Sequence, residues 1–281
     1  MQSVIIESGR RPKTYIRDLW RYRDLLLLFV KRDFTARYKQ TLLGPLWHFI
    51  QPILTTAVSF ILFNVVAKIN TDGVNPILFQ MSGIIIWNYF SSCFTSTSST
   101  FIANAGIFGK VYFPRLISPL STVISQLIQF GIQLLLLLAG MVFFAFRGEG
   151  FPINANWLLV PLMLLIIAGM GLGFGIIISS VTTKYRDLTV LIAFGVQLLM
   201  YASAVNYPLS ALSDLGSKYR WLYHFVKWNP LASVVEFFRN AMLDGPVQYA
   251  ALMYSGVWMI GLMGIGTFLF SKVERTFMDT V

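Results

Sequence analysis

The sequence predicts an all-α polytopic membrane protein, and three observations carry that prediction. Six long apolar stretches contain no Asp, Glu, Lys or Arg. The 281-residue chain is 56% hydrophobic and only 12% charged, far from the balance of a water-soluble domain. Its basic residues also collect on one side of the topology that those stretches impose. About 20 apolar residues cross a bilayer, so the stretches at 46–67, 77–98, 120–146, 157–181, 188–206 and 250–270 are read as six transmembrane helices. Residues 1–45 are then a cytoplasmic interface segment, and 46–281 one transmembrane domain.

Orientation follows from charge. Residues 1–45 hold ten basic side chains, and Lys110, Arg115, Lys184, Arg186, Lys272 and Arg275 fall on the same side. Only Lys68, Arg147, Lys218, Arg220, Lys227 and Arg239 fall opposite. Cytoplasmic loops carry such an excess, so both termini are expected in the cytoplasm. The net charge of +10 is therefore a topological signal and does not point to nucleic acid. Some 45 mostly polar or amphipathic residues precede the first span, which acts as its own uncleaved insertion signal. The single cysteine, Cys93, excludes an intramolecular disulfide.

Before the first span, Tyr15, Leu19, Tyr22 and Leu26 form an apolar stripe opposite Arg10, Lys13, Arg17, Arg21 and Asp24. That pattern predicts an interfacial amphipathic helix with its apolar side in lipid, ending near Leu43-Gly44-Pro45. It suits a membrane anchor and a partner-binding element equally. Span one contains Pro52. Span two ends in hydroxyls from Ser91 to Thr100, fit for a wet passage or for close helix packing. Span three places Gln126, Gln129 and Gln133 on one face, where the amides bond neighbouring helices or meet a hydrated cavity. Span four alternates Gly169, Gly171, Gly173 and Gly175, a thin helix that admits close neighbours. Between spans five and six, 221–226 and 231–243 are apolar but too short to cross, so two re-entrant half-helices are expected. Asn229-Pro230 starts the second, on which Glu236 and Arg239 are spaced to pair.

The chemistry this leaves is narrow. Uncharged spans provide no ion relay, although His48 stands near the membrane. No nucleotide-binding loop is present, because Gly106-Ile107-Phe108-Gly109-Lys110 is too short and is followed by Val111. The twelve carboxylates are scattered singly, which disfavours a polyprenyl-lipid membrane transferase. A machine part driven from outside fits best.

Particular residues then resemble a family. Thr41-Leu42-Leu43-Gly44-Pro45-Leu46-Trp47 leads to Gln51-Pro52-Ile53-Leu54, after Lys31-Arg32-Asp33 and Arg37-Tyr38. This is similar to the approach to the first span in ABC-2-type permeases that export polysaccharides, of O-antigen or teichoic-acid type. Lys110-Val111-Tyr112-Phe113-Pro114-Arg115, Tyr185-Arg186-Asp187, Asn229-Pro230-Leu231 and Lys272-Val273-Glu274-Arg275 resemble later segments of the same family in order.

The resemblance implies a homodimeric channel in the bacterial inner membrane, driven by two separate cytoplasmic ABC ATPase subunits that use ATP and Mg²⁺. No cofactor is implied for this chain. The cargo would be an undecaprenyl-diphosphate-linked glycan; capsule, teichoic acid or a drug are the alternatives within the fold. Asn104, Lys110, Tyr112, Pro114 and Arg115 would couple to the ATPase. Trp228, Asn229, Pro230, Glu236 and Arg239 would form an external gate. A conduit for sugars needs amides, hydroxyls and aromatic faces, which nominates Trp87, Asn88, Tyr89, Gln126, Gln129, Gln133 and Tyr201 as lining. Arg32, Arg37 and Lys39 lie where a lipid diphosphate or membrane headgroups would meet the inner leaflet.

Overall fold

A computed structural model describes residues 19–39, 44–108, 113–149, 153–182, 187–213 and 219–278. Among these residues every regular element is helical. The beginning of the expected amphipathic helix, together with Lys110, Tyr112, Lys184 and Arg186, lies outside the described residues.

Helix α1 (Arg23–Tyr38) lies against the bundle instead of floating beside it. Leu19, Tyr22, Leu25 and Leu26 pack on the core, and Phe29 is buried edge-to-face on Phe113. This corrects the expectation that the stripe faces lipid: burial against protein orders aliphatic groups that match a preformed surface. Trp20, Leu27, Leu28 and Phe34 are exposed apolar side chains here.

The first span, Gly44–Val66, is a 3₁₀ turn, then α2 (Trp47–Ser59), then a π-helical stretch, Phe60–Val66. Helix α3 (Pro76–Ser98) is the buried centre. Asn75 caps it, accepting from Ile77 N at 2.9 Å, with Pro76 in the first turn where no donor is missed. A short helix α4 (Thr100–Phe108) precedes α5 (Ile117–Phe144), which runs on to Glu149. Next come α6 (Val160–Thr182), α7 (Leu188–Tyr201), α8 (Leu209–Ser213), α9 (Arg220–Lys227), α10 (Pro230–Met242) and α11 (Tyr249–Met278).

Five of these stretches are long and apolar enough to cross a membrane: 44–66, 76–98, 117–149, 155–182 and 249–271. The remaining expected span, the fifth, 188–206, is helical only over the 14 residues of α7. Beyond Tyr201 the backbone turns, and Ala204 takes φ +52°, incompatible with continued α-helix. The two short apolar segments after it form the separate helices α9 and α10, as their lengths predict.

The glycines of α6 serve two faces at once. A Cβ on Gly171 would lie 2.8 Å from Cys93 Cβ of α3, and one on Gly175 would collide with Thr97 of the same helix. On Gly169 and Gly173 it would meet Met259 and Leu262 of α11 at 2.6 and 3.0 Å. Alternation by two thus produces two i, i+4 pairs on opposite sides. Without a hydrophobic force between helices in lipid, such small-residue faces let α3 and α11 pack closely on α6.

Two ends of this bundle are tied differently. At the Ser98 end, Thr182 Oγ1 donates to Ser98 O at 3.0 Å and Arg32 Nη2 to Asn104 Oδ1 at 3.3 Å. At the Asn75 end, the connections meet one another: Asn75 Nδ2 bonds the Glu149 carboxylate, Asn154 Nδ2 donates to Ala241 O at 3.0 Å, and Ser210 donates to Asp72.

Candidate functional site

At the Asn75 end, residues 202–206 leave the helix inside the protein, where their carbonyls need partners. Three side chains supply them. Asn229 Nδ2 donates to Ala202 O at 2.8 Å and to Ser203 Oγ at 3.2 Å. Arg239 Nη2 donates to Val205 O at 2.5 Å and to Ala204 O at 3.2 Å. Gln80 Nε2 reaches Asn206 O at 3.0 Å and Asn64 Oδ1 at 2.9 Å. The last contact ties in the π-helical end of the first span, whose widened turn presents Asn64. Asn229 also caps α10, accepting from Leu231 N at 3.0 Å.

Arg239 is 2% exposed, with its guanidinium 3.7 Å from the centre of the Phe79 ring. Gly83 makes room: a Cβ there would overlap the Val205 carbonyl and sit 2.6 Å from Arg239 Nη2. The expected pairing of Glu236 with Arg239 is not made; among the described residues no ion pair joins them. The carbonyls claim the guanidinium because no other donor among the described residues is seen to reach them. Burial nonetheless pushes the Glu236 carboxyl up, with Arg239 pulling it back and Asp72 adding to the rise. Burial pushes Arg239 down to about 10, still a cation at neutral pH.

The Ser98 end carries a cleft of about 380 Å³ lined by Arg32, Asp33, Ser96, Ser99, Asn104 and Thr122 among others. Arg32 Nε and Nη2 both donate to Asp33 Oδ1, at 2.9 and 2.7 Å, and the guanidinium lies 4.4 Å from the Phe29 ring centre. Its charge is thus already compensated and its plane stacked, which makes it a clamp between α1 and α4. Lys39 is exposed just past α1, and the Arg37 side chain lies outside the description. Asn104 is buried, donating to Thr100 O at 3.0 Å, and Arg115 is buried with contacts of its own. Both fix their segment in place and offer little surface to a second protein. Pro114 is half-buried.

The glutamine stripe is largely spent on helix packing. Gln126 Nε2 donates to Ser96 Oγ at 3.2 Å, and Asn88 Nδ2 to Gln133 Oε1 at 3.5 Å, joining α5 to α3. Trp87, Tyr89, Gln126 and Gln133 are all buried within the protomer. Buried in this way, these four side chains face other helices of the same chain. Asn88 and Gln129 are half-buried, while Tyr201 is 48% exposed at the end of α7. Among the described residues no three His, Cys, Asp or Glu side chains come together as a metal site. The knot around residues 202–206 was missed in the sequence. Its available signals were an amide, Gln80, inside a span and a lone cation, Arg239, inside an apolar helix.

A family model described as ABC-2 type transporter matches residues 24–243. The O-antigen export system permease protein RfbA of Myxococcus xanthus is 30% identical over 95% of this chain and 98% of its own length. RfbA of Klebsiella pneumoniae is 28% identical over 91% and 94%. The polysialic acid transport protein KpsM of Escherichia coli is 25% identical over 89% and 93%.

Proposed function

The chain belongs to the ABC-2 type transporter family, and from that premise we propose that it is the permease subunit of a polysaccharide exporter. It moves a lipid-linked glycan of O-antigen or capsule kind from the cytoplasm to the outer face of the bacterial inner membrane. The observation that carries this reading is the end-to-end alignment with permeases named for O-antigen export. ATP and Mg²⁺ belong to separate ATPase subunits, and two copies of this chain enclose the path. Charge-free helices cannot energise uphill movement themselves, which supports an external motor.

In this reading α7 is the fifth of six crossings although it is short. The support is positional: Thr182, before it, bonds the Ser98 end of α3, whereas Asn206, after it, bonds Gln80 near the other end. At about 1.5 Å per residue α7 covers roughly 21 Å, and the turn at 202–206 completes the distance. Both termini then lie in the cytoplasm, and α9 and α10 are half-helices on the external side. The exposed apolar face of α7, with Leu191, Phe194, Leu198 and Tyr201, suits a second copy across the conduit. Tyr201, Asn88 and Gln129 are the lining residues retained. α4 and the residues up to 115 seat on the ATPase, with Asn104 and Arg115 as internal braces.

Cells lacking this chain should lose surface polysaccharide and accumulate lipid-linked glycan inside. Restoring it should restore both and co-purify an ATPase. Unchanged surface glycan in the deletion strain would end this reading, as would substrate pumping by vesicles containing this chain alone.

A further inference from the structure

Between α8, α9, α10 and the start of α11 lies a cavity of about 490 Å³, the size range of small-ligand sites. It is separate from the buried knot, although Trp228 on its wall directly precedes Asn229. Tyr223, Trp228, Phe237 and Tyr254 bring rings to it; Glu236 and Asn240 bring polar groups. Trp228 and Tyr254 meet edge to face, with centres 6.0 Å apart, and Tyr254 Oη donates to Trp228 O at 2.7 Å. That bond fixes one ring against the other. Lys227 lies 5.4 Å from the centre of the Tyr223 ring, which engages its charge. Asn240 Nδ2 is held by Pro246 O at 2.9 Å. Glu236 has no hydrogen bond or ion pair among the described residues, and it lines the cavity with both oxygens unclaimed.

This combination selects among ligand classes. An apolar ligand would strand the Glu236 carboxyl, which is costly once water is displaced. A strongly ionic ligand of either sign would meet a like charge, Lys227 or Glu236, and would leave most of the aromatic wall unused. A pyranose ring satisfies both demands, with hydroxyls for the carboxyl and amide and a C–H face for the rings. We propose that this cavity is a binding site for one or two sugar units of a glycan, outside the buried gate. The proposal rests on the exporter reading and gives that reading a place where the emerging chain is held. Binding there bears on the α9–α10 corner and, through Asn229, on the turn at 202–203.

The test uses the full chain in lipid nanodiscs. The probes are methyl glycosides of mannose, galactose, rhamnose and N-acetylglucosamine, followed by saturation-transfer NMR and tryptophan fluorescence. At least one should bind saturably in the millimolar range. Trp228→Ala, at a residue 65% exposed and therefore safe for folding, should weaken it about tenfold, the loss of one stacking surface. Tyr254→Phe, which keeps the ring but frees it from the Trp228 carbonyl, should weaken it less. No saturable binding by any of the four overturns the proposal, and so does binding unchanged in Trp228→Ala. Surface-polysaccharide recovery in the deletion strain is scored in parallel. Recovery without glycoside binding removes the sugar site alone; binding without recovery keeps the site and removes the exporter reading.

Discussion

The two ends of the bundle hold their polar groups in opposite ways. At the Asn75 end, Gln80, Asn229 and Arg239 donate to main-chain carbonyls of one turn contributed by a distant part of the chain. At the Ser98 end, many hydroxyls bond carbonyls of their own helix, as in Thr95 to Ser91 at 2.7 Å and Ser98 to Thr95 at 2.8 Å. Contacts also cross between elements there: Thr182 to Ser98 O at 3.0 Å, Gln126 to Ser96 Oγ at 3.2 Å, and Arg32 to Asn104, which is long and partly open to water. Local bonds travel with their helix, so the Ser98 end can shift at the cost of the few contacts that cross it. The knot cannot, because moving α10 away leaves buried carbonyls with no substitute donor. Under the proposed exporter reading, this difference would place the more yielding junction beside the motor and the stiffer closure at the exit.

The sharpest way to break this comparison is Arg239→Ala. It strands the Ala204 and Val205 carbonyls and leaves a void under Phe79, so the folded protein should lose about 3–5 kcal/mol. Thermal unfolding in detergent would show this, and a wild-type midpoint would mean that the turn does not depend on the guanidinium. Arg239→Lys should recover part of the loss, since a single ammonium lacks the planar fork. Next in size is Gly83→Ala, whose added methyl has the Val205 carbonyl and Arg239 for neighbours. Overpacking of this kind costs about 1–3 kcal/mol, and the same melting experiment reads it. At the other end Arg32→Ala should cost well under about 1 kcal/mol, because a part-exposed ion pair contributes little. Its effect should appear instead as weaker coupling, with ATPase stimulation reduced while the melting midpoint stays put. A large drop in the midpoint would erase the contrast between the two ends.

Much of this architecture is legible from composition and spacing, because hydrocarbon leaves few options. Apolar length locates the long helices within a few residues, and Asn75-Pro76 and Asn229-Pro230 mark helix starts by capping chemistry. Two features escape such reading. The end of α7 depends on a turn whose carbonyls are satisfied by residues 80, 229 and 239, and no local pattern near Tyr201 announces those distant donors. The glutamine stripe is visible as a stripe, but whether it faces helix or cavity depends on Asn88 and Ser96 standing opposite. Spacing also pairs Glu236 with Arg239, and only the competing claim of the Val205 carbonyl explains why they stay apart. The glycines of α6 predict closeness, and their division into two faces emerges from where α3 and α11 happen to pack.

The smallest effect tests whether Glu236 belongs to the knot or to the cavity beside it. Its carboxyl is raised first by burial, and Asp72 adds to this while Arg239 opposes it. Lys227 faces the same space from α9. A raised folded-state pKa means that the native protein holds this proton more tightly than the unfolded chain does. Its stabilising contribution is therefore full below the ordinary carboxylate pKa of about 4.3 and is lost as pH climbs from there through the raised value. Above that window it stays flat. Glu236→Gln should remove this segment of the melting-versus-pH curve, so the two proteins diverge on going from acid toward neutral pH, with the variant the more stable at neutral pH. A variant less stable at neutral pH would reveal a hidden partnership with Arg239 and would fold Glu236 back into the knot. Parallel curves would show that solvent in the cavity already hydrates the carboxylate, which would remove burial as the cause of the shift.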